Sequence, residues 1–249
     1  MGIVIKSARE IETMREAGHI VAETLAVLAE SVRPGVTTRE LDQATFRTIT
    51  KQGATPSFKG YRGYPASLCA SVNDEVVHGI PDKRVLKEGE IVSLDVGAFY
   101  KGFHGDSAIT VPVGKIPGRV QALLDACQAG LAAAIAASRS GARVGDISHA
   151  VQTTVEALGF SVVREYTGHG VGRDLHEDPL VPNVGEPHQG ALLRPGMTFA
   201  LEPMINMGGW GVMVKPNGWT VVTRDGSWSA HFEHTVAITE GEADILTKL

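Results

Sequence analysis

The chain repeats itself. Leu86-x-x-Gly89-x-x-x-x-Leu94-Asp95 returns as Leu193-x-x-Gly196-x-x-x-x-Leu201-Glu202, displaced by 107 positions at every match. A second pair of segments, Asp106-Ser-Ala-Ile-Thr-Val-x-x-Gly114 and Glu233-His-Thr-Val-Ala-Ile-x-x-Gly241, is displaced by 127, so the second half carries 20 extra residues between its acids. Upstream, Arg33-x-Gly35, Leu41, Ala44 and Gly53 meet Arg139-x-Gly141, Ile147, Ala150 and Gly159 at a displacement of 106. A duplicated unit too small to cover its own sheet has to bury its apolar face against its copy. The halves, about 8–115 and 116–242, are therefore expected to form one domain over 1–249, with no Ser/Gly-rich joint between them.

Each half reads helix, helix, strands. Ser7-x-x-Glu10 and Thr37-x-x-Glu40 have the spacing of capping boxes. Met14, Ala17, Val21, Leu25 and Leu28 recur at helical spacing after the first box, and Pro34-Gly35 and Gly53 close the two helices. Pro117, Gly141, Asp146 and Gly159 punctuate the second half in the same way. Val21 and Leu25 map onto Cys127 and Leu131, apolar in both copies, which points to faces packed on a shared sheet. Strands are expected around Ser67–Val72, Ile91–Val96, Ala108–Val113, Ser161–Arg164, Thr198–Glu202, Thr220–Val222 and His231–Ile238, segments rich in β-branched and aromatic residues. The predicted fold class is α+β: a pseudo-twofold antiparallel sheet with helices on one face and a site on the other.

Composition narrows the function. With 43% hydrophobic and 20% charged residues the chain has the make-up of a globular protein. A net charge of −5 and no run of Lys or Arg argue against nucleic acid. Ile3-Val4-Ile5 is too short an apolar run for a signal segment or membrane span, and Lys6 stands where a myristoylation signal needs Ser or Thr. Two cysteines, Cys69 and Cys127, make no disulfide framework. These features fit a cytoplasmic protein without a membrane partner.

The four acids carry the chemistry. Asp95 precedes and Asp106 follows the turn at Lys101-Gly102, so the two stand on neighbouring strands, and Glu202 and Glu233 do the same from the other half. Four carboxylates on a buried face repel one another unless cations neutralise them. Two divalent ions suffice, and such a pair activates water and polarises a substrate oxygen. The best imidazole ligand is His169, flanked by small residues in Thr167-Gly168-His169-Gly170-Val171-Gly172. His78 and His176 lie in turn-rich segments where functional loops are common, whereas His104, His149, His188, His231 and His234 read as surface or satisfied core histidines.

On these residues the chain resembles the bacterial-type, type I methionine aminopeptidases, which have the pita-bread fold of a curved antiparallel sheet. The motifs that carry the likeness are Val77-His78-Gly79-Ile80-Pro81, Leu94-Asp95-Val96-Gly97, Asp106-Ser107-Ala108, Gly168-His169-Gly170-Val171-Gly172, Leu201-Glu202-Pro203 and Phe232-Glu233-His234-Thr235. The resemblance implies removal of the N-terminal methionine of nascent proteins and peptides when the second residue is small, by a hydroxide bridging two metals. It further implies that Asp95 chelates one ion, His169 and Glu202 hold the other, and Asp106 and Glu233 bridge both. His176 would stabilise the oxyanion, His78 would contact the scissile amide, and Glu202 would relay protons. One imidazole among oxygens suits Mn, Fe or Co as well as Zn.

The same resemblance places Phe58, Tyr61, Tyr64, Cys69, Leu175 and Trp219 around a pocket for the thioether side chain. Two positions depart from the commonest pattern: Phe58 replaces a small residue and Leu175 an aromatic, and Leu175 is expected to loosen the pocket. For Cys69 a core position on an alternating strand is an equal alternative. Prolidases and aminopeptidases P share the fold but usually carry an extra N-terminal domain, and a type II enzyme needs an inserted helical subdomain for which 20 residues are too few. A metal-free binding module is disfavoured because all five ligands are present. The expected partners are the N-terminal peptides of nascent proteins, met by a monomer, with ribosome docking left open. Gly2 is small enough to make Met1 itself an expected substrate.

Overall fold

The computed structural model describes residues 2–249, so Met1 lies outside the described residues. In the first half, α1 (Ala8–Ser31) and α2 (Thr38–Lys51) precede β1 (Thr55–Pro56), β2 (Cys69–Val72), β3 (Glu75–Val77), β4 (Ile91–Tyr100) and β5 (Phe103–Pro112). In the second, α3 (Gly118–Ala137) and α4 (Val144–Ala157) precede β6 (Ser161–Val162), β7 (Thr167–Gly170), β8 (Glu177–Pro182) and β9 (Thr198–Leu201). There follow β10 (Met204–Asn206), β11 (Val212–Val214), β12 (Val221–Thr223), β13 (Ser229–His231), β14 (Glu233–Ala237) and β15 (Asp244–Ile245).

The helix starts obey the sequence. Ser7 and Glu10 close one capping box, Thr37 and Glu40 another, each satisfying two otherwise unpaired helix-terminal N–H groups. Gly35, Gly53, Gly141 and Gly159 all take positive φ where the helices give way to loops. Val21, Leu25, Cys127 and Leu131 are buried as the repeat requires. They belong to two separate cores: α1 and α2 pack with β4, while α3 and α4 pack with β9 and β14. Helix α3 is long and apolar enough to cross a bilayer, but Leu123, Cys127 and Leu131 spend that apolar character inside the second core.

One sheet of nine strands runs through both halves in the order β1-β4-β5-β14-β9-β7-β8, with β2 also on β4 and β15 on β14. Every pairing is antiparallel, and β4 with β5 corresponds to β9 with β14. The halves meet where β5 pairs β14. Thr235 clamps this seam: its hydroxyl accepts from Asp106 N–H at 3.0 Å and donates to the Asp106 carbonyl at 2.7 Å.

Two features of the smaller sheets differ from the sequence reading. The strand expected over His231–Ile238 is interrupted at Phe232, because β13 leaves the large sheet to join β10 and β6 in a smaller one. The 20 extra residues fold largely as the β11–β12 hairpin, which pairs with β3 and carries Trp219 in its turn region. The insertion thus builds a wall of the cleft.

Candidate metal centre

Strand register alone brings the acids to one face. Asp95 is opposite Ala108 on β5, and Ala108 is opposite Glu233 on β14. Asp106 lies two residues before Ala108, and alternation keeps both on that face. From the far side, His169 is opposite Ala200, which is opposite Thr235, two residues beyond Glu233. Glu202 is two residues beyond Ala200, at the end of β9 where Pro203 breaks the ladder. All five predicted ligands are therefore on one sheet face, astride the seam between the halves.

Strand β7, which carries His169, was not among the expected strands. Its Thr-Gly-His-Gly sequence looks like a loop, yet the glycines are required by crowding. A Cβ on Gly168 would collide with the Ala200 carbonyl and one on Gly170 with the Asp178 carbonyl. The first half has Ser71 at the position corresponding to His169, opposite Ser93 as His169 is opposite Ala200, and its hydroxyl accepts from Gly79 N–H at 3.1 Å. The duplicated cluster is thus asymmetric, with one imidazole.

The electrostatics are those of a cation site. Asp106, His169 and Glu233 are buried, and ligand atoms of the three gather within 4.8 Å of one another. His169 Nε2 is 3.4 Å from Glu202 Oε1 and 4.0 Å from Asp106 Oδ2. Burial raises the Asp95 carboxyl to about 7 and holds Asp106, Glu202 and Glu233 well above the carboxylate range, where mutual repulsion adds to burial. Asp95 Oδ1, Asp106 Oδ1 and Glu233 Oε1 are buried with no hydrogen-bond partner. Orphaned acceptors of this kind are rare in protein interiors and fit a divalent cation. The His169 imidazole is prepared for the same role: Nδ1 is 2.8 Å from the Gly170 carbonyl, so its proton sits there and the Nε2 lone pair faces the acids. Burial keeps this ring neutral, down to about 4.

The other predicted residues line the same cleft. It is bounded by the five ligands together with His78, His176, Phe58, Tyr61, Tyr64, Cys69, Leu175 and Trp219, and by Arg62, which no motif announced. Phe58, Tyr64, Cys69 and Leu175 are buried in one apolar cluster with Tyr61 and Trp219 against it. Gly97 makes room for Phe58, since a Cβ there would stand 2.9 Å from the Phe58 ring. Cys69 pairs with Asp95 across β2 and β4, and burial beside that carboxylate raises its thiol well above the ordinary value. It is both a strand-core residue and part of the pocket wall.

His176 stands at the rim, its ring 4.1 Å from that of His169, with Nδ1 2.9 Å from the Tyr61 hydroxyl. His78 holds a left-handed φ of 59° and packs edge-on against Tyr166 and Trp219. Burial lowers it to about 4. Arg62, also left-handed, lays its guanidinium over the Tyr61 ring. Of the histidines set aside, His104 is paired with Ser57 at 2.8 Å and His234 with Thr247 at 2.9 Å. His231 corrects the expectation: it is buried beside the acids with Nε2 unpartnered, 3.8 Å from Glu202 Oε2. Its signal was its place two residues before Glu233.

A duplicated antiparallel sheet presenting four acids and one imidazole at its seam defines a class of metal-dependent peptidases. The chain belongs to metallopeptidase family M24, whose model matches residues 12–240. Methionine aminopeptidase 1 of Bacillus subtilis is 54% identical over 247 residues, 99% of this chain and 100% of the relative. The methionine aminopeptidase of Aquifex aeolicus is 48% identical, covering 100% of both chains. The crystal structure of methionine aminopeptidase from Thermotoga maritima superposes with a TM-score of 0.98 at 50% identity over 100% of both chains. Prolidase from Pyrococcus furiosus, at 21% identity and TM-score 0.79, shares the fold, but the match spans 66% of that longer chain.

Proposed function

We propose that this chain is a type I methionine aminopeptidase, a single catalytic domain over 1–249 that removes the N-terminal methionine of nascent proteins and peptides when the second residue is small. The observation that carries the reading is the adjacency of five ligand side chains to an apolar pocket in one cleft. Full-length similarity to methionine aminopeptidases supports it, and so does the folding of the extra residues as a hairpin instead of a helical subdomain.

In this reading Asp95 would help hold one divalent ion and His169 and Glu202 a second, with Asp106 and Glu233 serving both. Mn, Fe, Co and Zn all suit such a donor set. Bound there, the ions would supply a water acidified to near neutrality and polarisation of the scissile carbonyl. The residues of the chain do the rest. Glu202 accepts the proton of the attacking water and passes it to the leaving amine. Tyr61 fixes the His176 ring through Nδ1, and His176 Nε2–H faces the developing oxyanion. His78, kept neutral by burial, contacts the scissile amide nitrogen. Phe58, Tyr64, Cys69, Leu175 and Trp219 hold the thioether and exclude water, since aromatic and sulfur groups suit a polarizable unbranched side chain. The enzyme works in the cytoplasm as a monomer, and its two cysteines are free and buried.

Kinetics on Met-Gly and Met-Ala peptides, against Leu-, Pro- and N-acetyl-Met controls after metal reconstitution, test class, cofactor and substrate together. Cleavage confined to free N-terminal Met and abolished by chelation is expected. Turnover of the Pro or acetylated control, or full activity after chelation, would refute the assignment.

A further inference from the structure

His231 is 1% exposed, yet its Nε2 has no hydrogen-bond partner. The nearby acceptors are carboxylate oxygens, Glu202 Oε2 at 3.8 Å and Glu233 Oε2 at 4.0 Å. Carboxylates only accept and buried imidazole N–H groups are rarely left unpaired, so a shift of under about 1 Å completes a hydrogen bond. The backbone that carries the ring is held on both sides. His231 N–H donates to Thr110 Oγ1 at 2.9 Å, and the Thr110 hydroxyl donates back to the His231 carbonyl at 2.8 Å. Thr110 lies on β5 with Asp106, and His231 is opposite Met204, two residues beyond Glu202.

We propose that His231, with its proton on Nε2, donates to the Glu202 carboxylate and fixes the orientation in which Glu202 meets a divalent cation. In this role it is a positioning residue and not a ligand. Glu202 is the partner that needs positioning: its side chain is 14% exposed against 3% for Glu233, and it sits in the break between β9 and β10. A partner donating to a ligating carboxylate typically changes metal affinity by about 10–100-fold. The inference rests on the metallopeptidase reading of the cleft.

The test titrates metal-free wild type, His231→Gln and His231→Leu with Mn²⁺ by calorimetry, with thermal unfolding alongside and the absorption of the Co²⁺-loaded forms as a second readout. The Gln amide reaches a similar point and still donates, so affinity within about threefold of wild type and an unshifted spectrum are expected. The Leu variant should lose about 10–100-fold in Mn²⁺ affinity and show a shifted Co²⁺ spectrum. His231→Met takes its place if the Leu variant does not fold. Unchanged affinity in the apolar variant, or equal losses in the Gln and apolar variants, would overturn the proposal. A wild type that binds no Mn²⁺ would instead overturn the metallopeptidase reading, and this inference with it.

Discussion

Asp95 and Glu233 face each other across a single small residue, Ala108, which pairs with Asp95 on one side and with Glu233 on the other. The acids come from different halves of the repeat, and Ala108 forms the floor between them. It is 1% exposed, so a larger side chain has nowhere to go except between the carboxylates. Ala108→Leu should abolish Mn²⁺ binding measured by calorimetry and cost about 1–3 kcal/mol of stability from overpacking. Retained binding at wild-type affinity would show that the acids do not converge over this residue.

Removing the metal should make stability depend steeply on pH. The folded-state carboxyls lie above their unfolded values, Asp95 at about 7 and the others well above the ordinary range. For a raised carboxyl, stability is fully present below the unfolded value and is lost as pH rises through the folded one. Metal-free protein should therefore melt roughly 5–10 °C lower at pH 8.5 than at pH 6.5, and Mn²⁺ should flatten the slope. His78 and His104, both lowered to about 4 by burial, act in the opposite sense, but only between about 4 and 6.5, below this window. Calorimetric scans with and without chelator decide the matter.

Phe58 and Leu175 belong to the same apolar cluster, so the two expected departures from the family pattern are proposed to offset one another. The sequence makes Leu175 a loosened contact, and its burial in one cluster with Phe58 suggests the test of whether that ring compensates for it. Leu175→Phe by itself should lower kcat/KM for Met peptides about tenfold through overpacking, and Phe58→Ala in the same chain should restore much of it. Additive losses in the double variant would place the two residues in separate environments.

Lys6 and Glu177 form a buried ion pair, with side chains 3% and 8% exposed. Glu177 Oε1 also accepts from Arg173 N–H at 2.8 Å and Asp174 N–H at 3.3 Å, so the pair braces the loop that presents Leu175 and His176. Lys6→Met leaves a buried carboxylate unpaired and should cost about 3–5 kcal/mol. Adding Glu177→Gln should recover part of that stability without recovering kcat, since the neutral amide holds the loop less firmly. Equal recovery of both would reduce the pair to a purely structural one.

The repeat made much of this legible before any coordinates. Capping boxes located α1 and α2, and the paired acids located β4, β5, β9 and β14, because a duplicated pattern fixes both period and register. What it hid has physical causes. Strand β7 is built from glycines that close packing demands, so it lacks the β-branched signature of a strand. Strand β8 contains Pro179 and Pro182, tolerated because it is the sheet edge. Arg62 reaches the cleft through tertiary position alone, beside Tyr61 in a left-handed turn, whereas the one mark of His231 is its place two residues before Glu233, where the chain turns inward just before the ladder resumes.

In the proposed function, ligands from both halves hold two divalent ions jointly. Calorimetric titration of metal-free protein with Mn²⁺, wild type against Asp106→Ala, reads this sharing. Wild type should bind two equivalents. Loss of the bridging carboxylate should weaken both binding steps and abolish release of methionine from a Met-Ala peptide, because the missing acid uncovers both ions at once. If Asp106→Ala keeps two binding steps at wild-type affinity, or turns over the peptide near the wild-type rate, the shared dinuclear site is contradicted.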